Sequence, residues 1–355
     1  MEKGTAFCLY RDIAERTDGD VYIGVVGPVR TGKSTFIARF MEELVLPHMQ
    51  PGPKKDRLLD ELPQSGSGKT IMTTQPKFVP SEAAQVFLQE QTAVRVRMVD
   101  SVGYLVKGAL GSTEGESQRM VHTPWFDQDI PFEQAAEIGT RKVITDHATI
   151  GMVVTTDGSI ADLPRSAYVE AEDRVISELQ ALGKPFVIVL NSAAPRTAEA
   201  LQLRESLESR HGVPVMLLNV KEMGLEDIQH VLESVLLEFP VREVRFTVPA
   251  WLHALEPGHW LVSHIMERVR SVGDEPRRMR ESDVFQEAFA ASDYVPGLRQ
   301  EGLMPGEGRI DFSLTLQDGL FNRILGEECG TEIRGDAHLL SLMKELVAAK
   351  FLRNG

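Results

Sequence analysis

The run Gly27-Pro28-Val29-Arg30-Thr31-Gly32-Lys33-Ser34 constrains this chain more than any other stretch. It fits the pattern G-x-x-x-x-G-K-[ST], and its flanks give the match meaning. Residues 21–26, Val-Tyr-Ile-Gly-Val-Val, form the short apolar run expected of a buried parallel strand. Phe36, Ile37, Phe40, Met41, Leu44 and Val45 then recur at helical spacing. Strand, glycine-rich loop and helix together make a phosphate cradle. The glycines let backbone N–H groups converge on an anion, and the helix N-terminus adds a favourable dipole. In such a cradle Lys33 reaches the β- and γ-phosphates and the Ser34 hydroxyl ligates Mg²⁺. Gly27, Arg30, Thr31, Gly32 and Thr35 complete the phosphate-binding set.

The rest of the chain fits a soluble nucleotide-binding protein. Its 355 residues allow two or three domains with proper cores. A formal net charge of -14 argues against binding nucleic acid or anionic lipid, which attract positive charge. The two cysteines, Cys8 and Cys329, match no metal spacing and suit a reducing cytoplasm. No apolar stretch has the length of a transmembrane span, and the first residues lack the apolar core of a signal peptide.

Taken in order, residues 1–20 suggest a short helix around Ile13 and Ala14. Residues 47–69, rich in Pro, Gly, Lys and Asp, read as a long loop. Within it Gly66-Ser67-Gly68-Lys69-Thr70 imitates the end of a second phosphate loop. Pro63 stands where that loop needs its first glycine, and no apolar strand precedes it, so the match is rejected. Thr70, Thr73 and Thr74 follow. A threonine in this interval of GTPase-like proteins ligates Mg²⁺ and senses the γ-phosphate, which makes Thr73 and Thr74 the candidates, with Thr73 on the metal. The alternative reading is that these threonines open a strand through Lys77-Phe78-Val79.

Residues 94–99 alternate apolar and basic, as a half-exposed strand does. They deliver Asp100-Ser101-Val102-Gly103, a D-x-x-G in which Asp100 would hold Mg²⁺ through water and the Gly103 N–H would meet the γ-phosphate. Tyr104 follows where Ras-like enzymes keep a water-positioning Gln. Residues 105–135 form a second long, lid-like segment containing Thr123-Pro124-Trp125-Phe126. Helices over 135–145, 167–182, 197–210 and 224–238 then alternate with strands over 149–156, 185–191 and 213–219, predicting a doubly wound α/β domain that ends near Pro240.

GTPases place N-K-x-D after the strand ending here at Asn191, because its carboxylate accepts two hydrogen bonds from guanine. The chain has Asn191-Ser192-Ala193-Ala194 instead. The asparagine is kept and the specifying carboxylate is gone, which favours ATP over GTP. After residue 240 the pattern changes to a strand over 241–248, a mostly helical stretch over 251–272 and a charged linker over 273–280. A strand over 310–316 and helices over 320–329 and 339–351, the last amphipathic, complete a smaller α+β domain. His253, His259 and His264 are spaced wrongly for a metal site. Three readings compete at this point: an ATPase, a GTPase-type switch regulating a partner, and a phosphoryl-transfer enzyme with a small acceptor.

Several stretches carry a resemblance. They are Ile13-Ala14-Glu15-Arg16-Thr17, GPVRTGKSTF at 27–36, ELPQS at 61–65, GKTIMTTQPKFVP at 68–80, IPFEQAAEIGTRKVI at 130–144, TTDGSI at 155–160, FPV at 239–241 and IRGDAHLLSLM at 333–343. In these the chain resembles the stage IV sporulation protein A family, across nearly its whole length. The resemblance implies a P-loop ATPase domain (1–240) of the translation-factor-related GTPase class and a middle α+β domain (241–355). It further implies ATP hydrolysis with Mg²⁺, coupled to self-assembly into the basement layer of the spore coat. By this resemblance Lys33 is the P-loop lysine, Asp100 the Mg²⁺-associated aspartate, and Thr73 and Thr74 the sensor threonines. The protein would work in the mother-cell cytoplasm, peripheral at the outer forespore surface. Its partners would be copies of itself, other coat proteins and, in full-length members, a small amphipathic membrane peptide, stage V sporulation protein M. That last contact belongs to a C-terminal domain expected beyond residue 355, so membrane docking is not carried over.

Overall fold

A computed structural model describes residues 8–63, 76–89, 92–106, 113–114, 117–118, 120–122, 128–273, 277–290 and 292–353. The chain divides into two compact units, one of Thr5–Pro240 with Met304–Gly308 and the other of Val241–Leu303 with Arg309–Gly355.

The first unit opens with α1 (Leu9–Thr17), β1 (Asp20–Val26) and α2 (Lys33–Phe40), which runs on through a π-helical turn at Met41–Val45. Next come α3 (Pro53–Glu61), β2 (Lys77–Phe87) and β3 (Ala93–Asp100). Two short strand pairs follow, β4 (Thr113–Glu114) with β5 (Ser117–Gln118) and β6 (Met120–Val121) with β7 (Ile130–Pro131). Then α4 (Phe132–His147), β8 (Ile150–Thr156), α5 (Val169–Leu182), β9 (Phe186–Asn191), α6 (Ala198–His211), β10 (Val215–Leu218) and α7 (Leu225–Leu237) alternate.

The main sheet has the order β10-β9-β8-β1-β3-β2, parallel except for β2, which pairs antiparallel with β3. Burial explains why its strands read as unbroken apolar runs. Successive residues of β9 point to opposite faces and both faces are covered. Val187 and Val189 pack toward α1, α2 and α7, while Phe186, Ile188 and Leu190 pack toward α4, α5 and α6. One buried polar group stands among these contacts. Glu172 of α5 is fully buried and accepts from Arg165 at 2.5 and 2.8 Å and from Thr155 Oγ1 at 2.5 Å. Replacing Glu172 with alanine would leave the Arg165 guanidinium without its partner, and is expected to cost about 3 kcal/mol of stability. A denaturant midpoint unchanged from that of the parent would refute this.

The second unit contains β11 (Glu243–Thr247), α8 (Trp260–Ser271), α9 (Asp283–Ala290), β12 (Gly297–Met304), β13 (Arg309–Thr315), α10 (Leu320–Cys329) and α11 (Asp336–Arg353). Its sheet has the order β11-β13-β12, and Phe246, Phe285, Phe289 and Phe312 cluster against it. Two of the histidines rejected as metal ligands have local roles. His259 accepts from the Leu261 N–H at the start of α8, and His264 meets Ser292 Oγ at 2.8 Å.

Three expectations need correction, and one unread stretch has structure. Residues 47–69 do not form one long loop, because 53–61 are α3. Gly52 and Pro53 begin that helix, proline being well suited to a first helical position. Glu61 then anchors it to β2 by accepting from the Ser81 N–H and hydroxyl at 2.7 and 2.6 Å. Only Leu58 of α3 is buried, so almost no periodicity advertises it. Helix α4 begins at Phe132 rather than at 135, because Phe132 is itself buried. Helix α9 and strand β12 occupy a stretch, between the charged linker and the strand over 310–316, that the sequence reading leaves unassigned. Finally, α11 is not amphipathic in its packing, since Leu340, Met343, Leu346 and Val347 are all exposed.

Candidate nucleotide-binding site

Strand β1 delivers the chain into a loop with two demanding backbone positions. A Cβ on Gly27 would collide with the Val154 carbonyl oxygen of neighbouring β8. Arg30 adopts a left-handed φ of 64°, unusual for a residue with a Cβ. The loop is tied from within. Lys33 Nζ donates to Pro28 O at 2.7 Å and to Gly27 O at 3.4 Å, and Thr31 Oγ1 donates to Pro28 O at 3.0 Å. An ammonium has three donors, so these bonds hold Lys33 in place and leave one for a ligand. Burial lowers the lysine from its ordinary value to about 8, while Asp100 pulls it back upward.

Register brings Asp100 to this loop. It lies opposite Val25 of β1, where β1 turns into the phosphate loop. Ser34 Oγ donates to Asp100 Oδ2 at 2.6 Å. The other carboxylate oxygen, Oδ1, is buried without a hydrogen-bond partner among the described residues. Burial pushes the Asp100 carboxyl up, and the Ser34 hydroxyl and the Lys33 and Lys77 charges oppose that shift. An unsatisfied hard oxygen next to a serine hydroxyl suits Mg²⁺, whose preferred ligands are oxygens. The donor set therefore fits the metal. Gly103 completes this corner with φ 92°, and a Cβ there would stand 2.5 Å from Lys33 Nζ.

Tyr104 is held from several sides. Its N–H donates to Gly27 O at 3.1 Å, and its carbonyl accepts from the Val29 N–H at 2.8 Å. The ring is buried under the Arg174 guanidinium, and its hydroxyl donates to Glu178 of α5. Burial and the Glu178 carboxylate push the phenol well up, so it stays a neutral donor. Replacing Tyr104 with phenylalanine is expected to cost about 1 kcal/mol of stability and to leave turnover almost unchanged. A large loss of turnover in that variant would show that the hydroxyl takes part in the chemistry.

The sequence marks Asn191 as a nucleotide contact. The structure engages both ends of its side chain with protein. Nδ2 donates to Thr31 O at 3.0 Å and Oδ1 accepts from the Val220 N–H at 3.1 Å. Asn191 thereby fixes the phosphate loop to the end of β9. Lys33, Ser34, Asp100, Gly103 and Asn191 thus converge on one place, with Gly27, Arg30, Thr31 and Gly32 forming the loop itself. Thr35 follows in α2. Thr73 and Thr74 lie outside the described residues. Asp157 and Ser159, in the turn after β8, meet the backbone of Asn191 and Ala193 beside this site, and sequence reasoning assigns them no role. The available signal is an Asp-Gly-Ser turn at the carboxyl end of a central parallel strand, where open α/β sheets bind ligands.

A parallel α/β sheet with a phosphate loop after its central strand, and a Ser–Asp pair below that loop, defines a P-loop nucleoside-triphosphatase fold. A family model for the ATPase domain of stage IV sporulation protein A matches residues 4–240, and one for the middle domain of the same protein matches 241–353. Curated relatives agree. Stage IV sporulation protein A of Clostridioides difficile (strain 630) is 48% identical over 342 residues, covering 96% of this chain and 70% of that protein. The protein of the same name from Bacillus subtilis (strain 168) is 46% identical over the same shares of the two chains. The chain belongs to the stage IV sporulation protein A family. Among solved structures, the FeoB G-domain from Methanococcus jannaschii is similar with a TM-score of 0.29 and 13% identity, over 61% of this chain and 98% of that one. No helix among the described residues is long and apolar enough to cross a membrane.

Proposed function

We propose that this chain binds ATP with Mg²⁺ at the site above and hydrolyses its terminal phosphoanhydride. Turnover in turn drives self-assembly of the protein into the basement layer of the spore coat at the forespore surface. The observation that carries the nucleotide half is the Ser34–Asp100 hydrogen bond of 2.6 Å with Asp100 Oδ1 left unpartnered, next to the buried Lys33. Ser34 and Asp100 would hold the metal, with Thr73 joining them. When bound, the ion neutralises charge on the phosphate oxygens. Lys33 and the N–H groups of 30–34 hold the β- and γ-phosphates, the Gly103 N–H faces the γ-phosphate, and Thr73 and Thr74 sense it. The absence of a guanine-specifying carboxylate from 191–194 supports ATP as the substrate.

The assembly half rests on family membership. Its partners would be further copies of the chain and other coat proteins, with the membrane peptide stage V sporulation protein M a partner of full-length members. Residues 1–240 would carry catalysis and 241–355 a middle domain. Phosphate release with ATP and GTP, paired with sedimentation, tests both halves. ATP should be hydrolysed at least as well as GTP, only with a divalent ion. Pelleting should need hydrolysable ATP and fail with a non-hydrolysable analogue or no nucleotide. A strong preference for GTP would replace this reading with that of a GTPase-type switch.

A further inference from the structure

Loss of the N-K-x-D carboxylate would remove a preference for guanine without by itself favouring the adenine base. The structure supplies a second group at that place. Strands β8 and β9 end side by side, with Thr156 opposite Asn191. The turn that follows β8 lies directly on the 191–194 loop. The Asp157 N–H donates to Asn191 O at 3.4 Å, and Ser159 Oγ accepts from the Ala193 N–H at 2.8 Å. The Asp157 carboxylate accepts from the Ser159 N–H at 2.9 Å and the Ser159 hydroxyl at 2.6 Å, and from the Ser192 hydroxyl as well. Burial alone would raise this carboxyl. The hydrogen bonds from Ser159, Ser192 and Thr156 hold it below the ordinary range, so it is an anion at neutral pH. At its other end the turn reaches the phosphate loop, since a Cβ on Gly32 would stand 3.8 Å from Ile160 Cδ1.

One turn therefore spans from the phosphate loop to the loop that normally reads the base, with an apolar side chain at one end and a fixed carboxylate at the other. We propose that residues 157–160 are the base-recognising wall of this site, Ile160 covering the nucleoside beside Gly32 and the Asp157 carboxylate accepting from the 6-amino group of adenine. The inference rests on the reading of the site as an ATP site. Its chemistry is selective. The N-K-x-D carboxylate reads the N1–H and 2-amino donors of guanine; a carboxylate set against the 6-position instead, able only to accept hydrogen bonds, pairs with a 6-amino group and is repelled by the 6-oxo group of guanine or hypoxanthine. Discrimination then comes from an unfavourable contact with the wrong base as well as a favourable one with the right base.

The test measures dissociation constants of the full chain for ATP, ITP and inorganic tripolyphosphate by calorimetry with Mg²⁺. The wild type should bind ATP about tenfold or more tighter than ITP, as expected for a hydrogen bond to a charged group. Asp157→Asn offers an amide donor to a 6-oxo group, so it should bring the ATP-to-ITP ratio to about one or invert it, with tripolyphosphate binding unchanged to within about twofold. Ile160→Ala should weaken ATP and ITP together and spare tripolyphosphate. An unchanged ratio in Asp157→Asn would overturn the proposal. So would equal losses for all three ligands, which would mark the turn as structural support only. A wild type that binds tripolyphosphate but neither nucleotide would instead refute the ATP reading itself.

Discussion

Replacing Asp100 with alanine is expected to lower ATP turnover by about a hundredfold or more, with a much smaller effect on ATP affinity. The asymmetry follows from position. Asp100 lies beneath the loop rather than in it, joined to Ser34 at 2.6 Å, and its free oxygen is suited to a metal rather than to the nucleotide. In the proposed function it would therefore act on the charge that develops at the γ-phosphate, while the loop amides and Lys33 would keep hold of the ground state. Single-turnover phosphate release alongside equilibrium binding separates the two. A variant that turns over like the parent would remove Asp100 from the metal site. The paired Thr73/Thr74→Ala change should follow the same pattern if those residues sense the γ-phosphate.

Lys33→Ala is expected to act at the earlier step and reduce ATP affinity by about a hundredfold, the scale set by removing one charge-assisted hydrogen bond from a buried site. Two effects combine. The phosphates lose their cation, and the Gly27 and Pro28 carbonyls lose the ammonium that gathers them into the loop. The fold itself should not suffer in proportion, because desolvating this lysine is already unfavourable, as its depression to about 8 shows. Unaltered ATP binding in a folded Lys33→Ala protein would mean that the phosphates lie elsewhere.

How much the residues disclose in advance depends on how local their signals are. The phosphate loop is legible because Val25, Val26, Gly27, Gly32 and Lys33 are neighbours in sequence. The parallel strands are legible because burial on both faces demands unbroken runs such as Phe186-Val187-Ile188-Val189-Leu190. Helix α3 is hidden because it buries only Leu58. Strand β12 is hidden for a similar reason, with Leu298 its one buried side chain. At the site, Asp100 can be named from D-x-x-G, but the work of Asn191 cannot. Its partners are the Thr31 carbonyl and the Val220 N–H, and backbone groups leave no mark in side-chain identity. Tyr104 is recognisably not a glutamine. Its tie to Glu178, 74 positions away, exists only after α5 has packed.

That tie bears on the thermodynamics of nucleotide exchange. The stretch from Ser101 to Tyr104 is fixed before any ligand arrives, by Val25 O on the Ser101 N–H, by Gly27 and Val29 on the Tyr104 backbone, and by Glu178 on its hydroxyl. Ordering a flexible residue costs about 1–2 kcal/mol, and here folding has already met that cost. In the function proposed above, a γ-phosphate would thus find the Gly103 N–H ready, and affinity would not be reduced by a disorder-to-order step at this segment. The same rigidity applies after hydrolysis. Loss of the γ-phosphate liberates little conformational entropy between Ser101 and Tyr104, so a shape change that reports the nucleotide state has to originate in some other part of the chain.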